Sequence, residues 1–254
     1  MPNKKLEAFE KNGIVEEKIL SEDSAVKLSS YVCENCVSDT EPFSASPYRG
    51  SVALSDILNI DKDFLRNIEE ISKEYLQGEF EVIGITSHFK DKWLGAEEHW
   101  HQDYMYNSIA YDSPSNDFFR LFVALDNHTR NNGCLMSIGR SHNKLLEHEK
   151  MLSIHGHQKY RIKIPVLDQV YSENGVQYNE MRPGHALLFT SLTPHASCSN
   201  QTPNPRKALQ IQIARKNIIP RSKSSLDEII NTRKLFEIEE LNKRISKKKG
   251  DLKC

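Results

Sequence analysis

Residues 207–214 read KALQIQIA, and this alternation of apolar and polar side chains decides the fold class. Successive residues of a β-strand point to opposite faces, so the leucine and both isoleucines share one face and the glutamines the other. Residues 118–125, FFRLFVAL, repeat the pattern, with a second, mixed face that carries Arg120 and Phe122. Helices can cover an apolar face, whereas a mixed face suits the interior of a ligand-holding barrel. We therefore expect helices packed outside a sandwich or barrel of antiparallel strands.

Further strands are predicted through the middle of the chain, over residues 79–216. Short segments rich in β-branched and aromatic residues are separated by turn sequences such as NNG at 131–133 and PG at 183–184. Besides the two segments above, they read EFEVIGITSHF, YRIKIPVL and VQYNEMRPGHALLFTSL. Together these segments predict the strand-rich core.

The first 78 residues are predicted to be mainly helical. Ser21 is a candidate helix N-cap, because its hydroxyl can accept a hydrogen bond from an unpaired N–H of the first turn. Two apolar stripes with broadly helical spacing follow: Val26, Leu28, Tyr31 and Val32, then Phe64, Ile68, Ile71 and Leu76.

A further helix and a basic tail are predicted for residues 224–254. Since no linker or repeat interrupts the chain, residues 1–254 are predicted to form one domain.

Composition narrows the class of protein. The 254 residues carry a formal net charge of -1, which gives no overall attraction to nucleic acid or to a membrane. The first residues lack the apolar run of a secretion signal, and no segment is apolar over the length that a bilayer requires. The cysteines form no disulfide framework, and the single pair Cys33-x-x-Cys36 lacks the second pair of a structural zinc site. We therefore expect a cytoplasmic protein.

Residues 97–107, EEHWHQDYMYN, hold three side chains that can bind a metal. His101 and Asp103 are two residues apart, which on an extended strand places both on one face. This pair is predicted to supply two metal ligands. His99 lies on the same face of the predicted strand and could replace one of them. The third ligand has to come from elsewhere in the chain. His195 has the best context among the other histidines, because it lies just beyond the apolar strand HALLFTSL.

The ligand set itself indicates a reaction class. Two histidines and one aspartate leave three octahedral positions open, the usual arrangement in non-haem Fe(II) oxygenases. A bidentate 2-oxo acid can fill two of these positions, and its far carboxylate then needs a planar cation with two donors. Arg206, which begins the strand after His195, meets this need.

Four segments resemble the phytanoyl-CoA dioxygenase family of Fe(II)/2-oxoglutarate-dependent dioxygenases. FEKNGIVEEKILS is similar to the family's N-terminal stretch, and HQD to its metal motif. The family's Asn-Gly-x-Leu…Gly-Ser-His stretch is similar to RNNGCLMSIGRSH. Its Pro-Gly-Asp…His…Asn…Arg block is similar to RPGHALLFTSLTPHASCSNQTPNPRKALQIQIA. Two departures stand out: Gly139-Arg140 replaces a Pro-Gly pair, and His185 replaces an aspartate. They argue against taking a substrate, such as a coenzyme A ester, from close relatives.

The resemblance implies a mainly β fold with flanking helices around a double-stranded β-helix (jelly-roll, cupin-like) core. It places Fe(II) at His101, Asp103 and His195. It places the far carboxylate of 2-oxoglutarate at Arg206, with Phe122 beside the cosubstrate. In the implied reaction, O2 converts 2-oxoglutarate to succinate and CO2 while an unactivated carbon of the substrate is hydroxylated.

The substrate is expected to be a small, polar metabolite. Arg120 shares its strand face with Phe122 and so points into the barrel, where an unpaired charge would be very costly. It therefore pairs with a protein carboxylate, Asp126 or Glu180, or binds an anionic group of the substrate. The other candidates for the substrate pocket are Tyr104, Tyr106 and His99.

Two other functions fit the same three ligands. A zinc hydrolase would use two histidines and one aspartate, but it would give Arg206 no role. A non-catalytic, cupin-like binding or sensing protein would keep the fold and bind a ligand without turnover. Within the oxygenase interpretation, desaturation and ring closure need no different residues, so the sequence leaves the outcome of the reaction open.

Overall fold

The structure, a computed structural model, describes residues 4–35, 48–93, 97–152 and 158–221. In these ranges the helices are Lys4–Asn12 (α1), Glu22–Asn35 (α2), Leu54–Ile60 (α3), Phe64–Tyr75 (α4), Tyr104–Ala110 (α5) and Ile164–Asn174 (α6). The strands are Ile14–Lys18 (β1), Tyr48–Ser51 (β2), Phe80–Lys90 (β3), Glu98–His101 (β4), Phe118–Ala124 (β5), Leu135–Ser137 (β6), His148–Leu152 (β7), Gln158–Ile162 (β8), Gln177–Asn179 (β9), His185–Thr190 (β10), His195–Ser197 (β11) and Arg206–Arg215 (β12). The helix and basic tail predicted for residues 224–254 lie outside the described residues.

Six antiparallel strands form the larger sheet, in the order β1-β10-β5-β12-β3-β2. The two alternating segments that predicted the fold class are neighbours in it, with Ile211 of β12 opposite Leu121 of β5. Their apolar faces belong to one buried core, which also contains residues of the N-terminal helices. The prediction of a sheet covered by helices is therefore confirmed.

The N-terminal helices each bury one face in this core. They bury Leu28 and Val32 from α2, Ile57 from α3, and Phe64, Ile68 and Ile71 from α4. Val26, which the helical spacing also assigned to the buried side of α2, is 54% exposed. Ser21 caps α2 as predicted, because its Oγ accepts a hydrogen bond from the Ser24 N–H at 3.0 Å.

A second sheet of four strands, in the order β4-β11-β6-β9, packs on the mixed face of the larger sheet. Phe122, Phe189 and Ala208 of the larger sheet share one buried cluster with Leu135 of β6. The two sheets make up the double-stranded β-helix, and the space between them is where side chains of the mixed face point. No helix in the described part of the chain has the length and apolar character needed to cross a membrane.

Three segments differ from their predicted secondary structure. Residues 14–18 and 48–51, inside the part predicted to be mainly helical, form β1 and β2, the edge strands of the larger sheet, which pair with β10 and β3. The segment YRIKIPVL is extended only up to Ile162, and α6 begins at Ile164. Pro165 stands in the first turn of α6, where a residue without an N–H removes no intrahelical hydrogen bond. The proline therefore starts a helix instead of ending a strand.

Candidate metal centre

His101 and His195 lie side by side at the ends of two strands of the smaller sheet. His101 ends β4 and His195 begins β11, and the two residues are partners in the antiparallel register. Their ring centroids are 4.2 Å apart. His101 Nδ1 lies 2.7 Å from the His99 carbonyl oxygen, and His195 Nδ1 lies 2.9 Å from that of Thr193. These contacts orient both rings through Nδ1 and leave both Nε2 atoms to serve as ligands.

Asp103 completes the cluster, although it does not lie on the strand that its spacing from His101 predicted. β4 ends at His101, and Asp103 precedes α5 with helical dihedral angles, φ -59° and ψ -25°. Asp103 Oδ1 lies 3.6 Å from His101 Nε2 and 3.9 Å from His195 Nε2. The structure thus brings the three predicted residues together, with ligand atoms within 4.8 Å of one another. Asp103 does not share the predicted strand face with His101, because a turn into a helix, and not strand periodicity, returns the carboxylate to the histidines.

Burial and mutual contact set the charges of these three groups. Burial, reinforced by the neighbouring His101, lowers the pKa of His195 to about 4. Burial opposes the charge of Asp103 as well, but the Arg120 guanidinium and both histidines outweigh it and hold the pKa of this carboxyl well below its usual range. Burial would also lower the pKa of His101, yet the contact with Asp103 raises it. A neutral His195 beside an ionised Asp103 is the protonation state that a metal ion requires of these two ligands.

Arg206, the first residue of β12, is the buried cation that the sequence predicted. It is only 2% exposed, and burial lowers its pKa to about 10. Its Nη1 donates a hydrogen bond to the Gly133 carbonyl at 2.9 Å, and its guanidinium carbon lies 5.4 Å from the centroid of the Phe122 ring. Within the described residues, its Nε has no hydrogen-bond partner. A buried charged donor without a partner is costly, so this position fits an anionic ligand.

Two further side chains of this region were missed by the sequence analysis. Lys90 is fully buried and lies opposite Arg206 in the register of β3 and β12. Burial and the charge of Arg206 lower the pKa of Lys90 to about 7, and the same two causes lower the pKa of His88 to about 4. The two residues are two positions apart in β3 and therefore point to the same face of the sheet. The alternation of this strand, compared with that of β5 and β12, could have predicted their burial. A lysine at a strand end is ordinarily solvated, which hid the signal.

The residues proposed for the substrate pocket divide into two groups. Tyr106 lies at the cluster, with its ring centroid 6.0 Å from that of His101 and its hydroxyl accepting a hydrogen bond from the Tyr160 N–H at 3.2 Å. His99 is partly exposed beside it and contacts His101 through its carbonyl oxygen. Tyr104 lies elsewhere, because its hydroxyl donates to the Ser113 carbonyl and its ring lines a surface pocket. The start of α5 turns Tyr104 away from the histidines.

Arg120 points into the protein as predicted, but its carboxylate partner is a different one. Its Nε lies 2.9 Å from Asp103 Oδ2. The two partners that the sequence suggested are engaged elsewhere: Asp126 accepts a hydrogen bond from the Lys207 N–H, and Glu180 accepts one from the Arg130 N–H. Asp103 takes their place because the turn into α5 brings its carboxylate to Arg120 of β5.

The donor set fits Fe(II) and a 2-oxo acid. Two imidazole nitrogens and one carboxylate oxygen lie within 4.8 Å of one another, and two histidines with one carboxylate are the ligand set of non-haem iron oxygenases. Arg206 and Phe122 supply a buried cation and an aromatic wall in the same interior. A jelly-roll with these features defines a class of metal-dependent oxygenase.

The chain belongs to the phytanoyl-CoA dioxygenase family, whose model, Phytanoyl-CoA dioxygenase (PhyH), matches residues 42–208. It is accordingly an enzyme, a 2-oxoglutarate-dependent dioxygenase that takes Fe(II), 2-oxoglutarate and O2. No curated protein matches the sequence.

Solved structures share the fold at low sequence identity. EvdO2 from Micromonospora carbonacea var. aurantiaca is 18% identical with a TM-score of 0.69, over 87% of this chain and 93% of its own. EctD from S. alaskensis, solved with 2-oxoglutarate and 5-hydroxyectoine, is 18% identical with a TM-score of 0.64, over 85% of this chain and 76% of its own. EctD was also solved with bound Fe, at 18% identity and a TM-score of 0.62, over 85% and 77% of the two chains.

Proposed function

We propose that this enzyme hydroxylates an unactivated carbon of a small, polar metabolite, with Fe(II) held by His101, Asp103 and His195. Arg206 is proposed to bind the far carboxylate of 2-oxoglutarate beside Phe122. The observation that carries this proposal is the buried convergence of two histidines and one carboxylate in the same interior as Arg206, whose Nε lacks a hydrogen-bond partner within the described residues.

Each of these side chains then has a distinct task. Bound iron supplies the activation of O2, and the protein supplies position and charge. His101 and His195 would hold the metal through Nε2 and Asp103 through Oδ1, since these three atoms lie within 4.8 Å of one another. Arg206 orients the cosubstrate through charge-assisted hydrogen bonds. Burial of all four keeps bulk water from these contacts.

The surroundings of His101 support a polar substrate. Besides Tyr106, the half-buried pair of Glu98 and Lys159, whose charged atoms are 2.8 Å apart, lies close enough for Glu98 to influence the pKa of His101. Arg120 gives no support for an anionic substrate, because its guanidinium is already paired with the carboxylate of Asp103. We therefore propose a substrate with hydrogen-bonding groups and leave its net charge open.

A metabolite screen tests the proposal. Purified protein is incubated with Fe(II), 2-oxoglutarate, O2 and pooled small metabolites, and mass spectrometry detects a product that has gained one oxygen. Succinate is measured in parallel. We expect His101→Ala, Asp103→Ala and His195→Ala each to abolish the product and to weaken Fe(II) binding. His99→Ala is the control for Fe(II) binding, because the backbone carbonyl that contacts His101 survives the substitution, and its effect on product formation should be milder.

The outcomes separate the candidate functions. Full activity in any of the three variants would overturn the assignment of the ligands. Metal binding without succinate formation from any pool would favour a non-catalytic binding protein. Zn²⁺-dependent hydrolysis that ignores 2-oxoglutarate would favour the hydrolase. A product that has lost two hydrogens instead of gaining an oxygen would support the assigned ligands but indicate desaturation or ring closure in place of hydroxylation.

A further inference from the structure

The two oxygens of Asp103 have different neighbours. Oδ1 is the oxygen nearest to both histidines, at 3.6 Å from His101 Nε2 and 3.9 Å from His195 Nε2. Oδ2 lies 2.9 Å from Arg120 Nε. This second contact has the distance of an ion pair without the alignment of a hydrogen bond, since neither atom has a hydrogen-bond partner in the described chain. One oxygen thus faces the metal position and the other faces a fixed cation.

Arg120 is itself held in place by protein groups. It lies in the middle of β5, flanked by β10 and β12, and is 4% exposed. Its Nη2 donates to Asn107 Oδ1 at 3.2 Å and its Nη1 to the Phe119 carbonyl at 3.3 Å. Asn107 stands one turn after Asp103 in α5, and its N–H donates to the Asp103 carbonyl at 3.1 Å. Arg120 therefore contacts the carboxylate of Asp103, while α5 holds the backbone of the same residue.

We infer that Arg120, supported by Asn107, is a positioning residue that makes Asp103 bind the metal through Oδ1 alone. This inference rests on the proposed function. The reason is the number of coordination positions: two imidazoles and one carboxylate oxygen leave three of six, which a bidentate 2-oxo acid and O2 together fill. A carboxylate that turns to bind through both oxygens would take one of these three positions and compete with the chelating 2-oxo acid, whose place Arg206 fixes in the proposed function. Occupying Oδ2 with a cation keeps the third position available.

The test compares metal binding with cosubstrate binding in the whole protein. Without O2, titration of 2-oxoglutarate into Fe(II)-loaded protein is followed by the visible charge-transfer absorption of the chelate. Co(II) binding is measured by calorimetry. Losing the partner of a metal ligand typically costs about 10–100-fold in metal affinity or activity. In Arg120→Met we expect a loss of this size in 2-oxoglutarate binding, and the charge-transfer absorption should weaken with it. Co(II) binding is expected to change less than 2-oxoglutarate binding. Arg120→Lys should recover part of the loss.

Arg215→Met is the matched control, because it breaks another arginine–aspartate pair of the larger sheet, with Arg215 Nε 2.7 Å from Asp117 Oδ1. It should leave both titrations unchanged. Unchanged 2-oxoglutarate binding in Arg120→Met would overturn the inference. Equal loss of Co(II) and 2-oxoglutarate binding would also overturn it and make Arg120 a structural residue.

Two further outcomes are decisive. If Arg120→Met does not fold, the same two titrations are made on Arg120→Lys and Asn107→Ala. Unchanged 2-oxoglutarate binding in both variants would then overturn the inference. If the wild-type protein binds 2-oxoglutarate without the charge-transfer absorption, or binds no metal, the proposed function itself fails and the inference fails with it. The two failures are distinguishable, because the first appears only in the variants.

Discussion

Arg206 is the residue on which cosubstrate binding should depend most. Its buried guanidinium donates to Gly133 and keeps Nε unpaired within the described residues. We expect Arg206→Ala to raise the 2-oxoglutarate requirement strongly while Fe(II) binding changes little, since losing one partner of a buried charge pair costs about 2–5 kcal/mol. Arg206→Lys should rescue only in part, because an ammonium cannot form the planar two-donor contact. The measurement is succinate formation against 2-oxoglutarate concentration.

Lys207→Ala provides the control for this prediction. Lys207 is the next residue of β12, so its side chain lies on the opposite face, where its Nζ donates to Ser29 Oγ. The 2-oxoglutarate requirement of Lys207→Ala should match that of the wild type. An equal effect of both substitutions would mean that the charge of the strand, and not the position of Arg206, matters.

Lys90 should make stability depend on pH. Burial and Arg206 lower its pKa to about 7 in the folded protein, whereas an unfolded lysine keeps its ordinary pKa of about 10.4. Between these values the unfolded chain binds more protons, so this residue's contribution to the free energy of unfolding rises as the pH rises. Below pH 7 its destabilising effect is complete. Lys90→Met should therefore stabilise the ligand-free protein by at least about 1 kcal/mol at pH 6, and less as the pH approaches 10.

The prediction is checked by urea unfolding of both proteins across this pH range, with Lys92→Met as the control. Lys92 is exposed on the turn after β3, so its substitution removes a lysine without removing a buried charge. A constant difference between Lys90→Met and wild type from pH 6 to pH 10 would contradict the proposed titration.

At the scale of single elements, α2 depends on its N-cap. Ser21 Oγ accepts the hydrogen bond of the Ser24 N–H, one of the groups that a helix start otherwise leaves unpaired. Ser21→Ala should lower the free energy of unfolding by about 0.5–2 kcal/mol, and Ser21→Asp should retain most of it. Ser30→Ala on the same helix is the control, because its exposed hydroxyl only donates back to the Val26 carbonyl. Urea denaturation that ranks Ser30→Ala as the more harmful change would refute the capping role.

At the scale of the whole molecule, the ligands should strengthen the contact between the two sheets. His101 and His195 belong to the smaller sheet, whereas Arg206 and Arg120 belong to the larger one. A metal ion and 2-oxoglutarate bound to both would stabilise the folded state by mass action. At about 100 times the dissociation constant this is about 2.7 kcal/mol, equivalent to about 5–10 °C in Tm.

Thermal unfolding without O2, with and without Fe(II) and 2-oxoglutarate, measures this effect. Asp103→Ala should lose the increase from 2-oxoglutarate, because chelation needs the metal. A 2-oxoglutarate effect that is as large in Asp103→Ala as in the wild type would show that the cosubstrate binds without the metal, and would contradict the proposed arrangement.

Local patterns explain which parts of this molecule are predictable. The period of two in residues 118–125 and 207–214 is a property of the extended backbone, so both strands and their apolar faces follow from sequence. The Ser21 cap is equally local. Secondary structure was mispredicted where a tertiary contact or a proline decides it: at β1, which exists because it pairs with β10, and at α6, which begins at a proline-containing turn.

The sequence by itself determined the family, the helix-covered sheet, and the candidate residues His101, Asp103, His195 and Arg206, whose binding roles remain predictions. Only the tertiary structure decided how these residues meet. Asp103 reaches the histidines through the turn into α5, and the same turn brings its carboxylate to Arg120 of the larger sheet. Residue types and short-range periodicity are encoded along the chain, whereas contacts between sheets depend on packing distance and angle, which no local pattern specifies.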